Sequence, residues 1–149
     1  MLSILVAHSY FLRFDHKQWE RAKPYPPLAT LHVASMLRRA GHEVTVFDAM
    51  LADGITDYQR QLASTQPQLV LFYEDSFNYL SKMCLGRMRA AACKMVAAAK
   101  QSGAVVAVSG SDASDSPEPY LDHGADVVMI GEGIAAVMTL VERLDTVPQ

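Results

Sequence analysis

Four short stretches carry most of the polar chemistry of this 149-residue chain. They are Ala7-His8-Ser9-Tyr10, Tyr73-Glu74-Asp75-Ser76-Phe77-Asn78, Ser109-Gly110-Ser111-Asp112-Ala113-Ser114-Asp115 and Gly131-Glu132-Gly133. Each follows an apolar run. Together they offer hydroxyls, carboxylates, small side chains and backbone amides. That set suits hydrogen bonding to a polar ligand rather than nucleophilic attack or metal ligation. The glycines permit positive φ and let a ligand or neighbouring chain come close to the backbone. None of the five histidines forms a metal cluster by spacing.

Several specific ligands lack their full pattern. A nucleotide-binding P-loop needs G-x-x-x-x-G-K-[ST], which is absent. Gly131-Glu132-Gly133-Ile134-Ala135-Ala136 is a partial dinucleotide fingerprint, with alanine in the third glycine place. It follows the last apolar run instead of the first. A receiver domain would use Asp75 as phosphoacceptor and Ser109 as switch hydroxyl, but the acidic pair after the first strand and the lysine after the fifth are missing. A flavin-phosphate loop after the first strand would have only Ser9 to offer.

These stretches need a scaffold to bring them together. Five apolar runs rich in β-branched residues span 2–7, 43–48, 68–73, 104–109 and 126–131. They are continuous instead of alternating, as in strands covered on both faces. Helical patterns lie between them. Residues 26–41 open on proline and close at Gly41, with Leu28, Leu31, Ala34, Ser35 and either Leu37 or Met36 on one side. A second helix is expected near 54–65, a long third one ending at Gly103, a brief turn near 117–124 and a last helix from Gly133. Strands alternating with helices imply a parallel sheet with right-handed crossovers. The expected fold is α/β: a five-stranded, flavodoxin-like, Rossmann-like three-layer sandwich of order 2-1-3-4-5, whose ligands bind beyond the carboxyl ends of the strands. Residues 8–25 form the longest connection and carry Tyr10, Phe11, Phe14 and Trp19. Such a loop either covers a flat ligand, docks a partner or packs on the sheet end.

Length and composition fit one domain: half the residues are apolar and the net charge is −3. No basic block points to nucleic acid as the main partner, and no apolar run reaches the ~18 residues of a membrane span. Cys84 and Cys93 fall in one expected helix, roughly 13 Å apart at ~1.5 Å per residue, too far for a disulfide. Buried, reduced thiols and a cytoplasmic location are expected.

Residues 25–49, Tyr-Pro-Pro-Leu through Arg38-Arg39-Ala40-Gly41-His42-Glu43-Val44 to Asp48, resemble the first helix and second strand of a known family. The family is the N-terminal cobalamin (vitamin B12)-binding domain of cobalamin-dependent radical S-adenosylmethionine enzymes. Ser109-Gly110-Ser111, the Pro117-Glu118 that follows, and Gly131-Glu132-Gly133 continue the family's order, with Ser109 where glycine is usual. The resemblance covers about residues 1–145, and 146–149 sit where a linker to a further domain begins.

The resemblance implies cobalamin as cofactor and a C-terminal radical S-adenosylmethionine domain as partner in the parent chain. It implies Gly131 and Gly133 beside the corrin or its tail, and Glu132 accepting hydrogen bonds. The alternative for Glu132 is a carboxylate favoured by a helix N-terminus. It further implies Ser109, Gly110 and Ser111 along the tail, and Tyr73, Glu74, Asp75 and Ser76 facing the corrin. His8 and Ser9 would lie at the tip of the first strand, with His8 or His16 able to approach cobalt. The Asp-x-His-x-x-Gly motif that supplies a lower axial histidine is missing, because Asp15 and His16 are adjacent. A base-off cofactor without a protein histidine is therefore implied. The family's Cys-x-x-x-Cys-x-x-Cys is also missing, so an iron–sulfur cluster and S-adenosylmethionine belong to another domain. A sensor or docking module and a degenerate receiver are the other readings.

Overall fold

A computed structural model describes residues 1–74 and 85–146. Five strands, β1 Ser3–Ala7, β2 Glu43–Phe47, β3 Leu69–Tyr73, β4 Val105–Ser109 and β5 Val127–Met129, form one sheet in the order β2-β1-β3-β4-β5. Every pairing is parallel, with Val6 opposite Val46 and Leu71, Leu71 opposite Ala107, and Ser109 opposite Met129. The expected α/β sandwich and strand order are what the chain adopts.

The strands alternate between two cores, as side chains on a pleated strand must. From β1, Leu5 and Ala7 enter one core and Ile4 and Val6 the other. The first core is covered by α3 (Ile55–Thr65), α4 (Leu85–Gln101) and the short α5 (Ser111–Asp115) and α6 (Glu118–Asp122). The second is covered by α2 (Leu28–Arg39) and α7 (Ile134–Thr146). Burial on both faces is why the strand sequences run as continuous apolar stretches.

Helix α2 buries part of the face the sequence suggests, Ala34 and Leu37, together with Thr30 and Val33 in place of Leu28 and Leu31. Thr30, Val33, Ala34 and Leu37 are buried, while Leu28 is 71% and Leu31 41% exposed. The buried set keeps the i, i+3, i+4, i+7 spacing, and Thr30 anchors it by donating its hydroxyl to the Tyr73 carbonyl at 2.7 Å. The helix stops at Arg39, and Gly41 takes φ +92° to turn the chain into β2.

The long connection after β1 is folded. Leu12–Phe14 form a 3-10 turn and α1 spans His16–Arg21. Asp15 caps α1 by accepting from the Gln18 amide and from the Tyr10 hydroxyl at 2.9 Å. Tyr10 and Phe11 are buried, and Phe11 packs on Phe14 and Phe47. Packing on the sheet end thus accounts for three of the four aromatics. Trp19 remains 45% exposed, with the Arg13 guanidinium 4.6 Å above its ring.

Cys93 is a buried free thiol that donates to the Pro119 carbonyl, whereas Cys84 lies outside the described residues. Among the described residues, no helix is long and apolar enough to cross a membrane.

Candidate functional site

A cavity of about 680 Å³ opens above the carboxyl ends of β3, β4 and β5. Tyr73 and Glu74 enter it from the end of β3, and Ser109 from the end of β4. Gly110, Ser111, Ser114 and Asp115 come from the start and body of α5, and Gly131, Glu132 and Gly133 from the loop between β5 and α7. Ala29 and Ile134, in the first turns of α2 and α7, complete the wall.

Two glycines shape it for different reasons. Gly133 lies so close to its neighbours that a Cβ would fall 2.1 Å from the Ser109 hydroxyl and 3.1 Å from the Tyr73 ring. A side chain there would force Ser109 or Tyr73 to shift, so glycine suits the point where α7 begins, with the Gly133 carbonyl accepting from the Val137 amide. Gly131 has φ +79° and nothing within 4 Å of where its Cβ would be. Its conformation is the requirement, and the space beside it stays open. Its amide donates to the Ser114 hydroxyl at 2.9 Å, tying the loop after β5 to α5.

Helix α5 is held from behind. Asp112 accepts two hydrogen bonds from the Arg89 guanidinium, the longer 2.8 Å, and one from the Tyr120 hydroxyl at 2.7 Å. Burial by itself would raise the Asp112 carboxyl, but the Arg89 and Tyr120 hydrogen bonds outweigh it and hold the carboxyl below its ordinary range. This pin fixes the register of Ser111, Ser114 and Asp115 around the cavity.

Glu74 spans the gap between β3 and the loop after β1. Its Oε2 accepts from the Ser9 amide at 3.1 Å. Its Oε1 is buried and has no hydrogen-bond partner among the described residues. The residue as a whole is half-buried, while the carboxyl itself is enclosed. Burial pushes that carboxyl up, with His8 and Ser9 pulling it down and Asp112 adding to the rise. Tyr73 is also pushed up, first by burial and then by the nearby Glu132 carboxylate.

Eight of the expected site residues therefore meet in one place: Tyr73, Glu74, Ser109, Gly110, Ser111, Gly131, Glu132 and Gly133. His8 and Ser9 do not line the cavity. His8 is 2% exposed, its Nε2 lies 2.8 Å from Asp48 Oδ1, and its Nδ1 accepts from the Tyr10 amide. With Nδ1 accepting, Nε2 carries the hydrogen donated to Asp48. Ser9 acts on Glu74 through its amide and its side chain. Asp75 and Ser76 lie outside the described residues. His16 sits exposed on α1, 3.5 Å from Glu20, and is not part of the wall. Ser114 and Asp115 stood in the same polar stretch as Ser109, but the helical turn that brings them into the wall has no strong signal in so short a segment. Ala29 and Ile134 carry no polar signal at all. No cluster of three or more His, Cys, Asp or Glu among the described residues could hold a metal ion.

Residues 20–141 match the family model of the B12 binding domain, and that span contains every residue of the cavity wall. The chain belongs to the B12-binding domain family. It is also 32% identical over 121 residues to a hopanoid C-3 methylase of Methylococcus capsulatus (strain ATCC 33009 / NCIMB 11132 / Bath). The match covers 79% of this chain and 22% of the methylase, so the chain spans about a fifth of that relative's length. His8 and Ser9 fall before the family match.

Proposed function

We propose that this domain binds cobalamin over the carboxyl end of its sheet, with the nucleotide tail in the cavity between α2 and α7. The observation that carries the proposal is the cradle at Gly133. A missing Cβ brings α7, Ser109 and Tyr73 into contact, and a cavity of about 680 Å³ opens beside them. The lining fits the group. Cobalamin presents amides, a ribose and a flat corrin edge, and the wall presents serine hydroxyls, backbone groups and small residues. When bound, the cofactor would supply a cobalt–carbon bond for methyl transfer or another radical step. The protein's own part is to bind and orient it and to exclude water. Ser109, Ser111 and Ser114 would engage the tail, Gly131 would leave room for it, and Glu132 would accept hydrogen bonds at the mouth.

The proposal extends to a base-off cofactor without a protein histidine. Both ring nitrogens of His8 are engaged within the protein, and His16 is not part of the cavity wall. It also extends to a parent chain in which a further domain follows the cobalamin domain of about residues 1–145, whose last helix α7 runs one residue past that boundary to Thr146. The likeness to a methylase several times longer supports a further catalytic domain. In this reading that domain is of the radical S-adenosylmethionine type and holds the 4Fe-4S cluster. The test is electron paramagnetic resonance of the full-length protein carrying cob(II)alamin. A spectrum without axial-nitrogen splitting is expected. Nitrogen splitting from a histidine or from the tail base would overturn the base-off assignment.

A further inference from the structure

The cavity wall contains three carboxyl groups, Glu74, Asp115 and Glu132, and no Lys, Arg or His among the described lining residues. A ligand that brings negative charge meets no compensating cation in that wall. Cobalamin is such a ligand, because a phosphodiester joins its tail to the corrin. Of the three carboxyls, Glu74 is the enclosed one, with one oxygen on the Ser9 amide and the other buried without a partner among the described residues.

Among the described residues, the groups that face Glu74 form no ion pair with it. From the loop after β1 comes His8, whose Nε2 is turned to Asp48. From α5 comes Asp112, tied to Arg89 of α4. From α6 comes Tyr120, bonded to the same Asp112. On its own strand is Tyr73, and across the cavity are Asp115 and Glu132. Among the described residues the carboxylate is favoured by His8 and by the Ser9 hydrogen bonds, but burial acts the other way and is the larger effect.

We infer that loading of the cofactor is coupled to proton uptake at Glu74, so that the neutral carboxyl is the form in which the cavity accepts its ligand. The inference rests on the cobalamin reading above. Two effects act in the same direction. Filling the cavity removes water beside Glu74, which disfavours the carboxylate. The phosphodiester adds a like charge, which disfavours it further. Burial already pushes this carboxyl up before any ligand arrives. By reciprocity, a ligand that favours the proton is itself favoured by it.

The experiment is calorimetric titration of the full-length protein with methylcobalamin, from about pH 5 to about pH 9, which runs upward from the ordinary carboxyl range. Using buffers of different ionisation enthalpy counts the protons taken up. The expected affinity falls as pH rises, by about tenfold for each unit by which loading lifts the Glu74 midpoint. Glu74→Gln, which keeps the shape and cannot ionise, is expected to bind with a flat pH profile and no proton uptake. A wild-type affinity that is flat or rises with pH overturns the inference. So does a Glu74→Gln variant that keeps the wild-type slope, which would place the proton elsewhere. If that variant fails to fold, carbon NMR of the wild-type Glu74 carboxyl decides: an upward shift of its midpoint on loading supports the coupling, and no shift or a downward one overturns it. Absence of methylcobalamin binding at every pH would instead overturn the cobalamin reading, and this inference with it.

Discussion

At the scale of single residues, the site rests on two atoms' worth of missing side chain and one enclosed carboxyl. Gly133→Ala would place a methyl group 2.1 Å from the Ser109 hydroxyl. Overpacking of this kind costs about 1–3 kcal/mol, to be read as a lower midpoint in urea denaturation. The double variant Gly133→Ala/Ser109→Ala should recover part of the loss, since the closest clash is with the hydroxyl; no recovery would show that the Ser109 Cβ at 3.0 Å and the Tyr73 ring at 3.1 Å dominate. Glu74 makes a second prediction. Its carboxyl is raised in the folded chain, so the unfolded chain ionises first as pH rises. The stability it contributes is fully present below the unfolded value of ~4.3 and is lost as pH rises through the folded value. Glu74→Gln should remove that part of the pH dependence, which denaturation curves across the range would reveal. The sequence marked both residues as polar or permissive positions at strand ends. It did not show that Gly133 is needed for contact and Gly131 for its dihedral angle, because that distinction depends on what packs opposite.

At the scale of elements, the strands were readable and one helix face was not. Continuous β-branched runs identify strands buried on both sides, and each of the five appears within a few residues of its expected span. Helix α2 has apolar residues around more than one side, so Leu28 and Leu31 competed with Val33 and Leu37 for the core. The structure chooses the side on which Thr30 reaches the Tyr73 carbonyl. Leu37→Ala should therefore cost about 2–5 kcal/mol, while Leu28→Ala should stay within about 0.5 kcal/mol. Equal costs in thermal denaturation would contradict the assigned face. Helix α5, five residues long, was not anticipated, since so short a segment has little periodicity to read. Its position depends on the Asp112 pin. The Asp112 carboxyl is held down in the folded chain, so its stabilising contribution is present above the unfolded value of ~3.9 and is lost as pH falls through the folded value. Asp112→Ala leaves the Arg89 guanidinium without its partner and should cost about 1–3 kcal/mol. Because Ser111 and Ser114 ride on the same helix, cobalamin affinity should fall along with stability.

At the scale of the whole molecule, the strand order places three loops at one end of the sheet, and the cavity forms where they meet α2 and α7. The topology explains why residues from 29 to 134 share one wall. It also explains why β1 contributes less than expected: its following loop folds over the sheet end and turns His8 toward Asp48. The resemblance in sequence and the family match agree that the chain is a B12-binding domain. The most direct test is an absorbance titration of the full-length protein with hydroxocobalamin, with Gly131→Trp alongside. At φ +79° an indole costs about 1–2 kcal/mol of backbone strain and fills the open space beside the loop. The account predicts a saturable spectral change for the wild type and at least about tenfold weaker binding, 1.4 kcal/mol, for a variant that circular dichroism shows to be folded. No spectral change in the wild type, or equal binding by the two proteins, would contradict it.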